Sequence, residues 1–231
     1  MADDVYKNEM KALKDCTLYG FVDTSYLRGR APELVAQQLC DGGADLIQLR
    51  AKKSSLEDIR RMAEAILPIT NAAGVRLVVN DHLALAQEVG ADLCHLGQED
   101  YFGAGFAASG GESKNRDAVD RVPNRPRIGL STHSPEQAKG AMAAGADYIA
   151  IGPVYATATK PGVRPVTLEC VRWVAANVDV PWFAIGGINL ENIDEVLAAG
   201  ARRICVVSAI LNAPDTESAC REFKRRLQTV G

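Results

Sequence analysis

The stretch AGADYIAIG (144–152) contains the pattern that decides the fold, namely a glycine at a helix end, an aspartate and then a continuous apolar run. Related stretches are GGADLIQLR (42–50), VGADLCHL (89–96) and AGARRICVVS (199–208). Their glycines are 47, 55 and 55 residues apart, which is two strand–helix units at each step. Because glycine past a helix end provides a left-handed cap, we assign a capping role to Gly43, Gly90, Gly145 and Gly200.

Eight short apolar runs alternate with helical patterns along the chain, and we predict that each run is a strand. They cover residues 17–23, 45–50, 76–80, 92–96, 127–131, 147–152, 181–186 and 203–208. The runs lack the apolar–polar alternation of strands exposed on one face, so they fit a parallel sheet buried on both faces. A doubly wound open sheet is the alternative, but the first strand is not followed by GxGxxG. The pattern therefore favours a closed (β/α)8 TIM barrel.

The length of 231 residues and the hydrophobic content of 47% fit a single α/β domain. We expect the catalytic barrel to cover 17–231, after an N-terminal extension of residues 1–16 that matches no motif. A Gly-rich insertion at about 101–125 interrupts the expected fourth helix. A mobile lid and an insertion without a role both fit this segment.

Composition narrows the class of partner. The formal net charge of −3 provides no basic surface for a nucleic acid, and no apolar run approaches the roughly 18 residues of a membrane span. The N-terminus lacks the apolar core of a secretory signal. The six cysteines are scattered without CxxC spacing, so we interpret them as reduced thiols. We expect a cytoplasmic protein with small-molecule partners, and a homo-oligomer is compatible with these observations.

Polar side chains follow the predicted strands at their carboxyl ends, where the active sites of barrel enzymes form. Positive charge for phosphoryl oxygens comes from Arg50, Lys52 and Lys160. Gln48 and Asn80 add neutral donors. Taken alone, the basic segment after the second strand also fits a solvated loop.

Two carboxylates accompany these cations, those of Asp81 and Asp100. They would repel each other near an anion pocket unless a divalent cation lay between them. Magnesium binds one or two protein carboxylates together with phosphate oxygens and water. We therefore predict Mg²⁺ and a diphosphate substrate.

A second anion site is predicted at the loops that follow the seventh and eighth strands. Gly186 and Gly187 let a phosphate approach the backbone, and Val207 and Ser208 precede what reads as the last helix. A tight turn is the alternative explanation for each glycine.

At these positions the chain resembles the thiamine phosphate synthase family. The matching motifs are QxRxK (48–52), ND (80–81), HLGQED (95–100), GLSTH (129–133), GPVYxTxTK (152–160), AIGGI (184–188) and VSAI (207–210). The resemblance extends from about Leu18 to Leu227, and the order of the motifs on successive strand ends makes it specific. It implies condensation of 4-amino-2-methyl-5-hydroxymethylpyrimidine diphosphate with 4-methyl-5-(2-phosphoethyl)thiazole, or its carboxylated form, to thiamine phosphate and diphosphate.

The resemblance also implies roles for individual residues. The pyrimidine diphosphate would be bound by Gln48, Arg50, Lys52, Asn80, His95, Ser131 and Lys160. Magnesium would be held by Asp81 and Asp100. The thiazole phosphate would be bound by Thr157, Ala158, Thr159, Gly187, Val207 and Ser208. Lys160, Arg50 and Ser131 would act in catalysis, with diphosphate leaving before the thiazole nitrogen captures the pyrimidine-methyl cation.

The chain departs from the family pattern at Ala51, where glutamate is frequent. A thiazole tautomerase of the same superfamily tends to lack the Asn80–Asp81 pair and to carry histidine at the position of Pro153. A phosphosugar isomerase or epimerase would not require the basic cluster with two carboxylates. A non-catalytic binding relative would lose the metal ligands or Lys160.

Overall fold

The computed structural model describes residues 10–103, 125–157, 159 and 162–229. Within them, eight parallel strands form a closed barrel in the order of the sequence. The strands are β1 (Leu18–Asp23), β2 (Leu46–Arg50), β3 (Arg76–Asn80), β4 (Leu93–Leu96), β5 (Arg127–Thr132), β6 (Tyr148–Ile151), β7 (Trp182–Ile185) and β8 (Ile204–Cys205). The pairing of Leu18 with Ile204 joins β1 to β8. The predicted (β/α)8 barrel is confirmed.

Helices connect the strands around the outside of the barrel. In the described residues they are α1 (Pro32–Asp41), α2 (Leu56–Ala73), α3 (Leu83–Val89), α4 (Gln98–Phe102), α5 (Pro135–Ala143), α6 (Thr167–Asn177), α7 (Ile193–Ala198), α8 (Ser208–Leu211) and α9 (Thr216–Gln228). Gly90, which ends α3, has a φ of 74°, as a left-handed cap requires. None of these helices is long and apolar enough to cross a lipid bilayer.

The last strand differs from its prediction. The apolar run 203–208 predicted six strand residues, but β8 contains only Ile204 and Cys205. The backbone leaves the extended region at Val207, where φ is −111° and ψ is −84°, and α8 begins at Ser208. Ser208 therefore begins an extra short helix that precedes the last one. The bounds of the other seven strands agree with the prediction to within one residue at each end.

The aspartates of the repeated pattern connect neighbouring strands at the amino end of the barrel. Asp45 Oδ2 accepts a hydrogen bond from Leu18 N at 3.1 Å, and Asp147 Oδ2 accepts one from Ile128 N at 2.8 Å. Each aspartate precedes its own strand and binds the start of the strand before it. The repeat therefore includes a strand-pairing anchor in addition to its capping glycine.

Aromatic rings fill the middle of the barrel. Tyr19, Tyr148 and Phe183 are fully buried, and the ring of Phe183 lies edge-on to both tyrosines at centroid distances of 5.4 and 5.8 Å. Gly129 provides the space for Tyr148, because a Cβ there would lie 2.0 Å from the tyrosine Cζ. This aromatic layer closes the barrel below the site at its carboxyl end.

Part of the expected N-terminal extension packs under the barrel. Residues Leu13–Asp15 form a short 3₁₀ helix, in which Leu13 is buried, and Cys16 follows in the core. Lys11 Nζ lies 2.6 Å from Asp45 Oδ1. Of the expected insertion at 101–125, residues 104–124 lie outside the described residues, and so does the lid hypothesis.

Candidate active site

A cavity of about 550 Å³ lies at the carboxyl end of the barrel. The described members of the expected site all line it, namely Gln48, Arg50, Lys52, Asn80, Asp81, His95, Asp100, Ser131, Thr157, Thr159, Gly187, Val207 and Ser208. Ala158 and Lys160 lie outside the described residues. The ends of β2 to β8 therefore bring together side chains that are up to 160 residues apart in the chain.

Arg50, at the end of β2, is held by a residue that the sequence analysis missed. Its Nη1 lies 2.7 Å from Oδ2 of Asp23, which ends β1 and is 1% exposed. Asp23 Oδ1 also accepts a hydrogen bond from Ser25 N at 2.9 Å. The guanidinium has five N–H donors, so this pair fixes its orientation and leaves donors for an anion in the cavity.

Asp81 follows β3 with a φ of 66°, an uncommon conformation for a residue with a side chain. Its amide donates to His95 O at 2.9 Å, which anchors this backbone to β4. Its Oδ2 lies 2.8 Å from Lys52 Nζ. Backbone strain of this kind persists where surrounding contacts determine it, and such residues are concentrated at functional sites.

Asp100 approaches the same cavity from the first turn of α4, where its Oδ2 accepts a hydrogen bond from Gly97 N at 3.2 Å. In the described part of the chain, no group of three or more His, Cys, Asp or Glu side chains could hold a metal ion. The carboxylates that line this cavity belong to Asp81, Glu99 and Asp100, and the first and last of these are the predicted metal ligands. Hard cations such as Mg²⁺ prefer these ligands.

Hydrogen-bonded polar side chains lie at the inner end of the cavity. Gln48, 2% exposed, donates from Nε2 to Tyr19 Oη at 2.6 Å, and His95 Nε2 lies 3.0 Å from Ser131 Oγ. Gln98 Nε2 donates to Ser131 O at 2.6 Å and supports the end of β5. Gln48 therefore lies deeper in the barrel than Arg50, which follows it by two residues on β2.

A smaller recess of about 370 Å³ adjoins the cavity on the side of β7 and β8. It is lined by Ala156, Thr157, Gly187, Ile188, Asn189, Ser208, Ala209 and Asn212. Among the described residues, no acceptor contacts the amides of Ser208 and Ala209. Hydroxyl groups and open amides give this recess the character of a neutral anion site.

The loop after β6 borders both cavities. Thr159 N donates to Thr157 Oγ1 at 3.2 Å, and Thr159 Oγ1 lies 2.9 Å from Tyr26 Oη on the loop after β1. Gly187 faces this loop with a φ of 69°, and a Cβ there would lie 2.7 Å from Ala156 O. Glycine is therefore required at position 187 by packing as well as by backbone conformation.

Comparisons with known proteins identify the family. The family model described as thiamine monophosphate synthase matches residues 18–210. The chain belongs to the thiamine monophosphate synthase family. As a member of this family, the chain is a transferase of thiamine biosynthesis that acts on small molecules.

Individual members of the thiamine monophosphate synthase family are similar along most of their length. A thiamine-phosphate synthase of Thermus thermophilus is 44% identical over 196 residues, which cover 82% of this chain and 85% of the relative. That of Halalkalibacterium halodurans is 36% identical over 220 residues, covering 95% and 99%. The solved thiamine phosphate pyrophosphorylase of Pyrococcus furiosus has a TM-score of 0.80 at 29% identity, covering 94% of this chain and 98% of that one.

Proposed function

We propose that this chain condenses 4-amino-2-methyl-5-hydroxymethylpyrimidine diphosphate with 4-methyl-5-(2-phosphoethyl)thiazole, or its carboxylated form, to give thiamine phosphate and diphosphate. The observation that carries the proposal is the division of one cavity into two anion-binding sides. Arg50, Lys52, Asp81 and Asp100 lie on one side, and the recess that contains Ser208 lies on the other. A reaction that joins two phosphorylated substrates requires both.

The diphosphate is assigned to the side with the cations. Arg50 is pre-oriented by its 2.7 Å contact with Asp23, so little conformational freedom is lost when it binds phosphoryl oxygens. Lys52 and Asn80 complete this side, and the family resemblance adds Lys160. Gln48 lies too deep for the rim and is assigned to the pyrimidine ring, together with His95 and Ser131.

We propose Mg²⁺ as the cofactor, held by Asp81 and Asp100. Both carboxylates line the cavity, and magnesium takes one or two carboxylates from a protein when substrate oxygens and water supply its other ligands. When bound, the cation would neutralise charge on the departing diphosphate. Lys52 Nζ, 2.8 Å from Asp81 Oδ2, holds that carboxylate at the diphosphate side.

Catalysis by this site needs no protein nucleophile. The diphosphate leaves first, and the pyrimidine-methyl cation is captured by the thiazole nitrogen, so the protein contributes orientation and charge stabilisation. Cys94 and Cys205 lie in the barrel interior, where burial raises the pKa of the Cys94 thiol to about 12. Their thiols remain protonated, as is typical of buried cysteines that serve in packing.

The thiazole phosphate is assigned to the recess beside β7 and β8. The described residues proposed to bind it are Thr157, Thr159, Gly187, Val207 and Ser208, and Ala158 is added by the family resemblance. The open amide of Ser208 and the hydroxyls of Thr157 and Ser208 supply neutral donors. Neutral donors suit a substrate phosphate that stays bound through the reaction, because they leave the cations on the other side to stabilise the charge of the departing diphosphate.

We also propose that residues 17–231 act as one catalytic domain in the cytoplasm, with 1–16 as an extension. Leu13 and Lys11 connect the described part of that extension to the barrel. All six cysteines are free, as is usual in a reducing compartment.

The decisive experiment incubates the purified protein with both substrates and measures thiamine phosphate and diphosphate. We expect equal amounts of the two products, loss of both after EDTA treatment, and recovery with excess Mg²⁺. Each substrate alone is the control, and isomerisation of the thiazole without the pyrimidine substrate would support the tautomerase alternative. The absence of thiamine phosphate under all conditions would overturn the proposal, and full activity in EDTA would overturn its metal component.

A further inference from the structure

A chain of side-chain hydrogen bonds crosses the barrel at the inner end of the cavity. Gln48 Nε2 donates to Tyr19 Oη at 2.6 Å, and Tyr19 Oη lies 3.1 Å from Tyr148 Oη. Tyr148 Oη lies 3.0 Å from His95 Nδ1, and His95 Nε2 lies 3.0 Å from Ser131 Oγ. Both ends of the chain, Gln48 and Ser131, line the cavity, as do Tyr19 and His95, whereas Tyr148 does not.

The direction of donation along this chain follows from proton counting. Tyr19 accepts from the amide of Gln48, so its single proton is directed to Tyr148. Tyr148 must then use its own proton on His95 Nδ1. Burial raises the pKa of both phenols well above 10.0, which keeps them protonated and able to donate.

The same counting continues through the imidazole. A neutral histidine that accepts at Nδ1 has its proton on Nε2, because each ring nitrogen is a donor or an acceptor but not both. His95 Nε2–H then donates to Ser131 Oγ. The proton of Ser131 remains for the cavity, since its hydroxyl has no other partner among the described residues.

We propose that Tyr19 and Tyr148 are positioning residues that fix the Nε2–H tautomer of His95. Through this tautomer, they present Ser131 to the cavity as a hydrogen-bond donor. The substrate group that this arrangement selects is an aromatic ring with an unprotonated nitrogen, which an aminopyrimidine has. The substrate side of this inference rests on the proposed function, whereas the tautomer does not.

The surrounding structure is built to hold this chain in place. Tyr19 and Tyr148 have no exposed surface, and Phe183 packs edge-on against both rings. Gly129, two residues before Ser131 on β5, leaves the space that the Tyr148 ring occupies. A buried tyrosine hydroxyl without a hydrogen-bond partner would destabilise the fold. Both hydroxyls are satisfied when donation runs from Gln48 towards Ser131.

The tautomer can be measured directly in the protein without substrates. The chain contains three histidines, so ¹⁵N-histidine labelling gives three ring spin systems, and a His95→Gln variant identifies the one in the barrel. We expect a pyridine-like Nδ1 and a pyrrole-like Nε2 for His95. A pyrrole-like Nδ1 would overturn the inference, whether or not the enzyme makes thiamine phosphate.

Tyr148→Phe tests whether the tyrosine imposes the tautomer. We expect the two ring nitrogen signals of His95 to move towards each other, because the donor to Nδ1 is lost. Unchanged ring signals in the folded variant would show that Tyr148 is only a packing residue, and would overturn its assigned role. If this variant does not fold, Tyr19→Phe removes the hydroxyl that obliges Tyr148 to donate to His95, so the two ring nitrogen signals should again move towards each other. Unchanged signals in that variant would overturn the role assigned to Tyr19.

Kinetics separate positioning from general damage. Loss of one such hydrogen bond should lower kcat/KM for the pyrimidine diphosphate by about fivefold to tenfold. The KM for the thiazole phosphate should not change. Tyr155→Phe is the matched control, because its hydroxyl lies outside the chain and contacts Glu195 Oε2 at 3.1 Å.

An equal loss in the control, or equal losses for both substrates, would contradict the inference. A parent enzyme with no synthase activity would contradict the proposed function and leave the tautomer result intact.

Discussion

The two ends of the barrel each carry a lysine–aspartate pair, but in different surroundings. At the amino end the carboxylate of Asp45, 3% exposed, contacts Lys224 and lies 2.6 Å from Lys11 Nζ. At the carboxyl end the carboxylate of Asp81 is 24% exposed and lies 2.8 Å from Lys52 Nζ, whose side chain is 46% exposed.

The difference lies in what else these carboxylates contact. Asp45 Oδ2 also accepts hydrogen bonds from Thr17 N at 2.8 Å and Leu18 N at 3.1 Å, so the protein itself uses its oxygens. Asp81 borders a cavity, and its surface remains accessible to a ligand. The same charge pair therefore joins structural elements at one end of the barrel and is available for substrate or metal at the other, as the general anatomy of barrel enzymes predicts.

The largest effect is expected for Lys160→Ala, at the carboxyl end. The family resemblance places Lys160 on the diphosphate, where negative charge increases as the carbon–oxygen bond breaks. Loss of one such cation typically costs about 2 to 4 kcal/mol, a fall of roughly 30-fold to 1000-fold in the chemical step. Single-turnover rates measure that step.

The control for this variant is its melting temperature, which should match that of the parent. If single-turnover rates of variant and parent agree within about threefold, Lys160 is a surface residue whose substitution changes little, and the assignment of its loop to the leaving group is wrong.

Asp45→Ala should have the opposite outcome, because it removes the carboxylate of the amino end. Breaking a buried ion pair costs at least about 3 kcal/mol. We expect this lower value here because the Lys11 ammonium that loses its partner can still reach water. For a domain of this size the melting temperature should fall by about 6 to 12 °C. Calorimetry measures this shift, and kcat of the folded variant at a lower temperature should equal that of the parent.

The pH dependence of stability gives a second measurement on Asp45. Burial alone would raise the pKa of this carboxyl, but hydrogen bonds from Lys11 and Lys224 outweigh burial and hold its pKa below the usual 3.8. A lowered pKa stabilises the fold above the usual value, and the stabilisation is lost as pH falls through the lowered one. The stability difference between the parent and Asp45→Asn should therefore be constant near neutral pH and shrink below about pH 3.8. A difference that grows on acidification would contradict the ion-pair assignment.

Most of the barrel could be predicted from the sequence because its signals are local. The run 76–80 predicted β3 with its observed bounds, since polar Asn80 and Asp81 end the apolar segment. The run 203–208 predicted β8 poorly, because its apolar residues fit a strand and a helix start equally well. Only the packed chain shows that the backbone turns at Val207.

Site residues that follow the ends of predicted strands could be predicted from the sequence. Residues whose position depends on the register between neighbouring strands were missed. The parallel register pairs Asp23 with Arg50 on adjacent strands, a relation that a separation of 27 positions in the sequence does not reveal. Tyr19 and Tyr148 are 129 residues apart and lie in apolar runs, so their side chains resemble ordinary core. Their hydroxyl groups meet only when the barrel closes, and local sequence patterns do not specify that closure.

Removing a carboxylate at the carboxyl end should affect the metal and not the fold. The attraction between a divalent ion and a carboxylate 4 Å away is about 2 kcal/mol in water, so Asp81→Ala or Asp100→Ala should raise the Mg²⁺ concentration for half-maximal activity roughly 30-fold. Magnesium titrations of activity measure this change, with Asp45→Ala as the control that should not alter it. Titration curves identical to that of the parent in both variants would exclude these residues as metal ligands.

The smallest effect on stability is expected for Lys52→Met, with Lys224→Met as its matched partner at the opposite end. Lys52 is nearly half exposed, so its pair with Asp81 should contribute less than about 0.5 kcal/mol to the free energy of unfolding. Lys224 is 15% exposed and contacts Asp45, so its loss should cost about 1.5 kcal/mol, the value for a hydrogen bond to a charged group. The KM for the pyrimidine diphosphate should show the reverse order, with a rise of roughly tenfold in Lys52→Met and no change in Lys224→Met. Urea unfolding and steady-state kinetics on the two variants measure both quantities. If Lys52→Met destabilises the protein as much as Lys224→Met does, or if both variants change KM equally, the division of the barrel into a structural end and a ligand-binding end is wrong.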